Sequence, residues 1–348
     1  MEQFPLRIGA AVVHKIEETT ISIPPAKFFK SEAKVEEERA TGRPGASGAP
    51  EESSGYYETA AAEEVCSKVR ALEWMPPTGI DGDGNLQLAV QMFVIETPGG
   101  TRIAVDTCIG DDKSLGPNHE KFHMKQGPFL QNLHAAGCDP ESIHFVLCTH
   151  LHFDHVGFNT VLRDGVWVPT FPNAKYLVAE KEWMSCLEEV KAKGDDGFAP
   201  FATILRESLQ PIVDAGLQHL VSSDHVIVDE DSCKVRLVPT EGHTPGHVGV
   251  VIESNGTSAV ITGDCIHHMA QLAYPQMGTW YDANSADAAD TREALFDRVA
   301  SEGAILIGTH FPVPSACFVE RDAKGSGRRY RPRPCSCCAA SSAAVAGA

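Results

Sequence analysis

Apolar and polar positions along the first half of the chain follow the patterns of strands and hairpins. Residues 7–23 are rich in β-branched and apolar side chains and predict the start of a sheet. Two strand-like runs flank Gly99-Gly100 within residues 86–110, which is the pattern of a β-hairpin. The apolar run at residues 143–150 predicts a buried strand, and it ends at a histidine.

Helical and strand patterns alternate in the rest of the chain. Residues 128–139 and 287–301 have helical spacing, and residues 174–194 predict a strand followed by a helix. Residues 232–268 predict three strands with a turn at Asn255-Gly256, and AILIGTH near residue 307 predicts a last buried strand. This alternation, with hairpins among the strands, predicts an α/β fold in which mixed sheets pack between helices.

The length of 348 residues suits one large α/β domain, which we place at residues 1–322. Residues 31–60 are charged and then rich in Gly, Pro, Ser and Ala, so we predict a mobile or disordered insertion. Residues 323–348 are basic and then rich in Cys, Ser and Ala, and we predict a disordered tail.

The formal net charge of -18 repels phosphate backbones and anionic lipids, so we expect neither nucleic acid nor a membrane as a partner. The N-terminus lacks the pattern of a secretory signal, and the eleven cysteines are mostly scattered. These features predict reduced, buried thiols and a cytoplasmic location.

The strongest chemical signal is the segment THLHFDH, which follows the predicted buried strand directly. It places His150, His152, Asp154 and His155 within six residues. Imidazole and carboxylate groups suit zinc and related divalent metals. A strand would send alternate side chains to opposite faces, whereas a loop can fan all four around metal positions. The alternative is a histidine-rich polar turn, but burying unpaired polar groups would be costly.

Three more candidate ligands occur in polar loops after apolar β runs. His243 lies in EGHTPGH, Asp264 in ITGD and His310 in GTH. Each one alone is compatible with an ordinary turn residue. Ligands in α/β folds collect at strand ends, and such metals need three to four protein ligands each, so the group as a whole predicts a metal centre.

HLHFDH resembles the H-x-H-x-D-H signature of the metallo-β-lactamase superfamily. The downstream order of GHTPGH, TGD and GTH is similar to that family over residues 85–315, and it is closest to the branch of N-acyl-homoserine lactonases and methyl-parathion-hydrolase-like enzymes. The resemblance implies a four-layer αββα sandwich of two mixed β-sheets with flanking helices. It also implies that Asp106 orients the site without binding metal.

The same resemblance implies two divalent metal ions. His150, His152 and His243 would bind one ion, Asp154, His155 and His310 the other, and Asp264 would bridge them. Zinc is expected, with Mn²⁺, Co²⁺ or Fe²⁺ as alternatives. A metal-bridging hydroxide would then cleave a small ester, lactone, lactam or phosphotriester. A homodimer is compatible with the family.

Asp154, Asp264 and His267 are the expected catalytic residues. The family's lactonases carry a tyrosine three residues after the bridging aspartate, where this chain has His267. This difference puts acyl-homoserine lactones in doubt as the substrate. His267, the adjacent His268 or a tyrosine remain candidates for the acid that protonates the leaving group.

Two other functions stay open at this point. A non-hydrolytic metal-binding or regulatory protein could keep the fold, although such members usually lose ligands. A diiron redox enzyme could use the same ligand types. Metal analysis would separate these functions, since two irons with a visible absorption band would favour redox chemistry.

Overall fold

The computed structural model describes residues 4–42, 50, 54–195, 200–322 and 327–335, which form two large β-sheets with helices on their outer faces. The first sheet has seven strands in the order β1-β2-β3-β4-β5-β8-β9. Strands β4, β5, β8 and β9 run parallel, and the other neighbours are antiparallel. Its strands are β1 Leu6–Ile8, β2 Ala11–Ile23, β3 Leu86–Glu96, β4 Arg102–Val105, β5 Phe145–Cys148, β8 Lys175–Ala179 and β9 Gln218–Val221.

The second sheet also has seven strands, in sequence order from β10 to β16. Only the β13–β14 pair is parallel among the described strands of this sheet. Its strands are β10 Val226–Glu230, β11 Cys233–Pro239, β12 Val248–Ser254, β13 Thr257–Ile261, β14 Ile305–Ile307, β15 Ala316–Arg321 and β16 Tyr330–Pro334. A separate hairpin joins β6 Thr160–Arg163 to β7 Val166–Pro169.

The two sheets face each other across an apolar core, as the alternation in β12 illustrates. Val250 and Ile252 point into the core between the sheets, where they meet residues of the first sheet such as Phe93. Val251 points to the opposite face and packs under a helix beside Phe296. Successive strand side chains face opposite ways, so this strand contributes to two apolar layers at once.

Helices cover both outer faces and complete the four layers. Phe129 of α4 and Trp183 of α6 pack on the first sheet, and Phe296 of α10 packs on the second. The predicted αββα sandwich is therefore confirmed. The helices are α1 Pro25–Phe28, α2 Glu32–Thr41, α3 Ala60–Arg70, α4 Phe129–Ala135, α5 Phe153–Val156, α6 Glu180–Lys193, α7 Phe201–Ile204, α8 Gln210–Asp214, α9 Ala270–Ala273 and α10 Ser285–Glu302.

The prediction of an unstructured insertion at residues 31–60 is wrong where the structure describes it. Helix α2 begins after Ser31, whose side chain accepts a hydrogen bond from the backbone N–H of Lys34, and it ends at Gly42 in a left-handed conformation. Val35, the single large aliphatic residue of the segment, packs against α10. Capping, this apolar contact and ion pairs such as that between Arg39 and Asp290 of α10 thus order a segment with little apolar content. Residues 43–49 and 51–53 lie outside the described residues.

The predicted disordered tail also contains an ordered part. Strand β16 pairs with β15, and Tyr330 is buried against Phe296. Backbone pairing at a sheet edge places a short basic strand that composition alone does not predict. Residues 323–326 and 336–348 lie outside the described residues.

Eight of the nine described cysteines are free thiols, and all of these but Cys66 are buried, as expected from their scattered positions. The ninth, Cys335, is disulfide-bonded, so the expectation of reduced thiols does not hold for it. No helix in the described ranges combines the length and apolar character that crossing a bilayer requires.

Candidate metal centre

Every candidate ligand follows the carboxyl end of a strand. The segment Thr149–His155 follows β5, and His243 lies between β11 and β12. Asp264 follows β13 and His310 follows β14, and these strands are parallel neighbours. Parallel strands end at the same edge of a sheet, so the loops that carry Asp264 and His310 meet there.

The change from extended to helical backbone after His152 separates the four groups of the first motif. His152 is extended, with φ -72° and ψ 159°, and the short helix α5 begins at the next residue. His152 therefore projects from extended chain, whereas Asp154 and His155 project from a helical turn. This local change lets four nearby residues serve two clusters.

The seven predicted ligands form two adjacent clusters, and the potential ligand atoms within each lie within 4.8 Å of one another. The first consists of His150, His152, His243 and Asp264, and the second of Asp154, His155 and His310. In the first cluster, Nδ1 of His152 lies 3.0 Å from Nε2 of His243.

Asp264 lies between the two clusters. Its Oδ2 atom is 3.7 Å from Nε2 of His150 and 3.4 Å from Nε2 of His243. The same oxygen is 3.3 Å from Nε2 of His155 and 3.3 Å from Nε2 of His310. One carboxylate oxygen thus lies close to histidines of both clusters.

The histidines are oriented by hydrogen bonds at their other ring nitrogen. Nδ1 of His155 lies 2.9 Å from Asp106 Oδ2, Nδ1 of His243 lies 3.0 Å from Asp282, and Nδ1 of His310 lies 2.7 Å from the carbonyl oxygen of Ala89. Such contacts fix the tautomer and leave Nε2 free to bind a cation.

The donor set fits divalent cations. Among the described residues, Nε2 of His150 and Nε2 of His155 are buried without a hydrogen-bond partner. Unpaired buried polar atoms are costly, and a bound cation would satisfy them. The His/Asp cluster is therefore a metal-binding cluster whose ligand types suit zinc and its neighbours.

Asp106 supports the site from the end of β4, as the sequence indicated. Besides His155, it accepts hydrogen bonds from the backbone N–H and the hydroxyl of Thr149, at 2.8 and 2.9 Å. Asp106 adopts a positive φ of 56°, which aspartate tolerates better than most residues. It fixes one histidine and the start of the histidine-rich loop together.

Sequence reasoning missed Asp282, which orients His243. Asp282 also accepts a 2.7 Å hydrogen bond from the backbone N–H of Thr279. Burial opposes its ionisation, but the hydrogen bond and the charge interaction with His243 hold its pKa well below the usual range. Its sequence context, WYDAN, carries no signal of this role.

Glu182 of α6 was also missed, and it ties the two histidine loops together. Its carboxylate accepts hydrogen bonds from the backbone N–H of Leu151, the hydroxyl of Thr244 and the backbone N–H of Gly246, at 3.1, 2.7 and 3.0 Å. Burial raises the pKa of Glu182 even though these bonds favour the charged form. In sequence it resembles an ordinary charged residue on a helix surface.

His247, the second histidine of the GHTPGH loop, supports the loop that carries Asp264. Its Nε2 accepts a 2.8 Å hydrogen bond from the backbone N–H of Asp264. Gly263 has a φ of 52°, and a Cβ there would lie 2.6 Å from that imidazole nitrogen. Glycine is required at this close approach. The repeated histidine of the loop was a visible signal of this role.

The structure separates the two histidines among the candidate proton donors. His267 lines the pocket, and its Nε2 lies 3.1 Å from Asp264 Oδ2. His268 instead contacts the carbonyl oxygen of Gly79 at 2.8 Å, away from the ligands. Burial lowers the pKa of both His267 and His268 to about 4, so their positions and not their protonation separate them.

A pocket of about 160 Å³ opens onto the two clusters. Its walls consist mainly of aromatic and aliphatic side chains, and none of its described lining residues is a lysine or an arginine. Tyr281 is the one tyrosine in this lining. The remaining apolar walls come from Ile21, Ile23, Phe28, Leu88, Phe122 and Phe153.

A family model matches residues 86–310, which is more than half of the chain and contains all seven predicted ligands. The description of that model is Metallo-beta-lactamase superfamily. The chain belongs to the metallo-β-lactamase superfamily.

The curated relatives that the chain matches are distant. YobT, an uncharacterized protein of Bacillus subtilis (strain 168), is 26% identical over 182 residues, 49% of this chain and 69% of the relative. An N-acyl homoserine lactonase of Bacillus sp is 26% identical over 188 residues, 51% of this chain and 63% of the lactonase. The chain thus spans less than two thirds of that lactonase. AttM, an N-acyl homoserine lactonase of Rhizobium radiobacter, is 23% identical over 250 residues, 68% of this chain and 88% of AttM.

Solved structures of the superfamily share the fold. AbOPH, a hydrolase in the beta lactamase superfamily, aligns with a TM-score of 0.68 and 22% identity over 94% of this chain and 96% of AbOPH. AidC, a dizinc quorum-quenching lactonase, aligns with a TM-score of 0.60 and 17% identity over 94% of this chain and 96% of AidC. At these identities the likeness establishes the sandwich fold.

Proposed function

We propose that the chain is a dinuclear metal-dependent hydrolase of small, uncharged esters, lactones, lactams or phosphotriesters. The observation that carries the proposal is the position of Asp264 Oδ2, 3.3 to 3.7 Å from histidine nitrogens of both clusters. A carboxylate in that position is suited to bind two cations at once.

His150, His152 and His243 would hold one ion, Asp154, His155 and His310 the second, and Asp264 would contact both. When bound, divalent cations of this kind lower the pKa of water and polarise a carbonyl or phosphoryl oxygen. Zinc is the proposed metal because His/Asp ligand sets of this kind are typical zinc ligands, although Mn²⁺, Co²⁺ and Fe²⁺ share the preference.

The chain's own residues supply negative charge, hydrogen-bond donors that orient the substrate, and an apolar pocket wall. Asp154 and Asp264 bring negative charge that balances cations in a largely buried site. The His267 imidazole lies at the pocket, and we assign it as a hydrogen-bond donor to the substrate or leaving group. Tyr281 lines the same pocket and is the alternative donor, since a phenol donates through its hydroxyl.

The pocket lining limits the substrate class. A small, mostly apolar cavity with no lysine or arginine among its described lining residues suits a neutral substrate with an apolar substituent. The relatives named N-acyl homoserine lactonase support a lactone. His267 stands where the sequence resemblance leads us to expect a tyrosine, and we propose that it makes a different contact to the leaving group.

A panel assay tests the proposal. Purified protein would be given lactones of varied chain length, aryl esters, lactams and a phosphotriester, with and without a chelator. We expect hydrolysis of at least one neutral class, loss with the chelator and recovery with Zn²⁺. Hydrolysis that persists after complete metal removal would contradict the proposal. Two bound irons with a visible absorption band and no hydrolysis would favour redox chemistry instead.

A further inference from the structure

The N-terminal helices lie outside the family match at residues 86–310, yet they contact a loop of the active site. We call residues 278–282 the bracing loop. The backbone N–H of Lys30 donates to the carbonyl oxygen of Gly278 at 2.9 Å, and that of Trp280 donates to the carbonyl oxygen of Phe28 at 3.1 Å. The bracing loop is therefore paired with the end of α1.

The bracing loop reaches the metal centre through two residues. Asp282 contacts Nδ1 of the ligand His243 at 3.0 Å. Tyr281 lines the pocket, with its ring 5.4 Å from the ring of Phe28, which itself lies 5.2 Å from the imidazole of His267. A shift of this loop would move a histidine ligand and a pocket wall together.

The side chain of Lys30 is only 1% exposed, and it contacts the bracing loop and two neighbouring helices. Its ammonium lies 2.9 Å from Oε1 of Glu38 in α2 and 2.8 Å from the hydroxyl of Ser285, at the start of α10. It also lies 5.4 Å from the centre of the Trp280 ring, within the range of a cation–π interaction. One buried cation thus joins α2, α10 and the bracing loop.

The buried negative charge of Glu38 is stabilised by the ammonium of Lys30. The Glu38 side chain is 5% exposed, so its carboxylate is largely removed from solvent. Lys30 makes the one ion pair that Glu38 has in the described part of the chain. A buried ion pair adds little net stability over apolar replacements, so we take the role of this pair to be the placement of the elements it joins.

We propose that Lys30 is a positioning residue: by holding the bracing loop against α2 and α10, it sets the orientation of His243 and of the pocket wall formed by Phe28 and Tyr281. The kinetic part of this inference rests on the proposed hydrolase function. The part that concerns His243 rests only on the metal-binding cluster.

Three variants test the inference. Lys30→Met leaves Glu38 as an unpaired buried charge and is expected to lower the melting temperature. The double variant Lys30→Met/Glu38→Gln removes both charges and should recover much of that loss. Ser285→Ala removes the hydrogen-bond link to α10 without creating an unpaired charge. Lys234→Met, which alters a solvent-accessible ion-pair lysine in β11, is the matched control.

The readouts separate positioning from stability. Cobalt-loaded protein would be compared by its visible absorption spectrum and by the rate of metal loss to a chelator. We expect an altered spectrum and faster metal loss in the folded double variant, and a smaller change of the same kind in Ser285→Ala. On a substrate with an apolar substituent, KM should rise about 10-fold in the double variant, while Lys234→Met matches the wild type.

A spectrum, metal-loss rate and KM that all match the wild type in both the double variant and Ser285→Ala would overturn the inference. The same holds if every defect of Lys30→Met disappears as thermal stability is recovered in the double variant. If the wild type hydrolyses nothing in the panel, the proposed function fails, but the cobalt spectrum still decides whether Lys30 positions His243.

Discussion

Side chains around the metal centre have two roles: some face the cluster, and others orient those that do. The histidines present one ring nitrogen to the cluster, and residues such as Asp106 and Asp282 hold the other. A histidine whose second nitrogen loses its partner can rotate or change tautomer. Substitutions one contact away from the ligands are therefore expected to affect metal binding.

Asp282→Asn tests this expectation. The amide keeps the size of the side chain but removes the negative charge that orients His243. We expect metal affinity and kcat/KM to fall by about 10- to 100-fold while the fold is retained. Metal titration and steady-state kinetics would measure both, with circular dichroism as the check of folding. Unchanged metal affinity would show that the contact is dispensable.

Asp154→Ala removes a proposed ligand of the second cluster together with a negative charge. We expect loss of part of the bound metal and a decrease in activity of more than about 100-fold. Elemental analysis of the purified variant, beside an activity assay, measures both. The matched control is Asp231→Ala, which alters an exposed carboxylate in the turn after β10. Full activity with full metal content in Asp154→Ala would refute the ligand assignment.

At the scale of elements, the site depends on how loops are held at strand and helix ends. Helix α10 begins beside the centre, where the side chain of Asn284 accepts hydrogen bonds from the backbone N–H groups of Ala286 and Asp287, both at 3.1 Å. The backbone N–H of Asn284 also donates to the carbonyl oxygen of Gly242, next to the ligand His243. The helix cap and the His243 loop therefore share one residue.

Asn284→Ala removes the cap and leaves those helix N–H groups without a side-chain acceptor. We expect a loss of about 1 kcal/mol in the free energy of unfolding. Asn284→Ser keeps an acceptor at the cap and should retain most of that stability. Urea denaturation of the three proteins measures the difference. Equal losses in both variants would show that the cap itself contributes little.

At the scale of the whole molecule, the metal centre connects the two sheets. His150, His152, Asp154 and His155 follow a strand of the first sheet, while His243, Asp264 and His310 follow strands of the second. A cation bound by ligands from both sheets binds the folded chain and not the unfolded one, so binding adds to folding stability.

Metal removal should therefore lower the melting temperature of the protein. At a metal concentration about 100 times the dissociation constant, binding contributes about 2.7 kcal/mol, which corresponds to a shift of about 4 °C for a chain of this size. Thermal denaturation with chelator, and again after Zn²⁺ is restored, measures this shift. An identical melting temperature in both states would contradict the bridging of the sheets by metal.

The stability of the molecule should also depend on pH through Lys113. Its ammonium is buried beside the Trp167 ring, the hydroxyl of Thr160 and the carbonyl oxygen of Glu207. Burial lowers the pKa of Lys113 from 10.5 to about 7, against the opposing charge of Glu207. Between these values the unfolded chain binds more protons, so this residue makes stability rise with pH.

Lys113→Met should remove that dependence. Below about pH 7 the wild type carries the full cost of the buried charge, and the cost decreases as the lysine loses its proton. The stability of the wild type relative to the variant should increase by up to ~1.4 kcal/mol per pH unit above pH 7. Urea denaturation at several pH values from neutral upward measures this difference, with Lys234→Met as the solvent-accessible control. Parallel profiles would contradict the prediction.

Local sequence determined the ligand types, their order and the strands that precede them. A buried strand followed by HLHFDH specifies both a β run and a set of metal-binding groups within a few residues. The hairpin at Gly99-Gly100 and helix α10 were predicted for the same reason, since turn residues and helical spacing act over short distances.

Tertiary structure alone decided which residues support those ligands. Asp282 acts on His243, 39 positions away, and Lys30 acts on Ser285, 255 positions away. It also selected His267 over the adjacent His268 as the pocket residue, and it ordered α2 and β16 in segments whose composition predicts disorder. Periodicity and motif spacing describe contacts between near neighbours in the chain, whereas these contacts form only when the two sheets and their helices pack together.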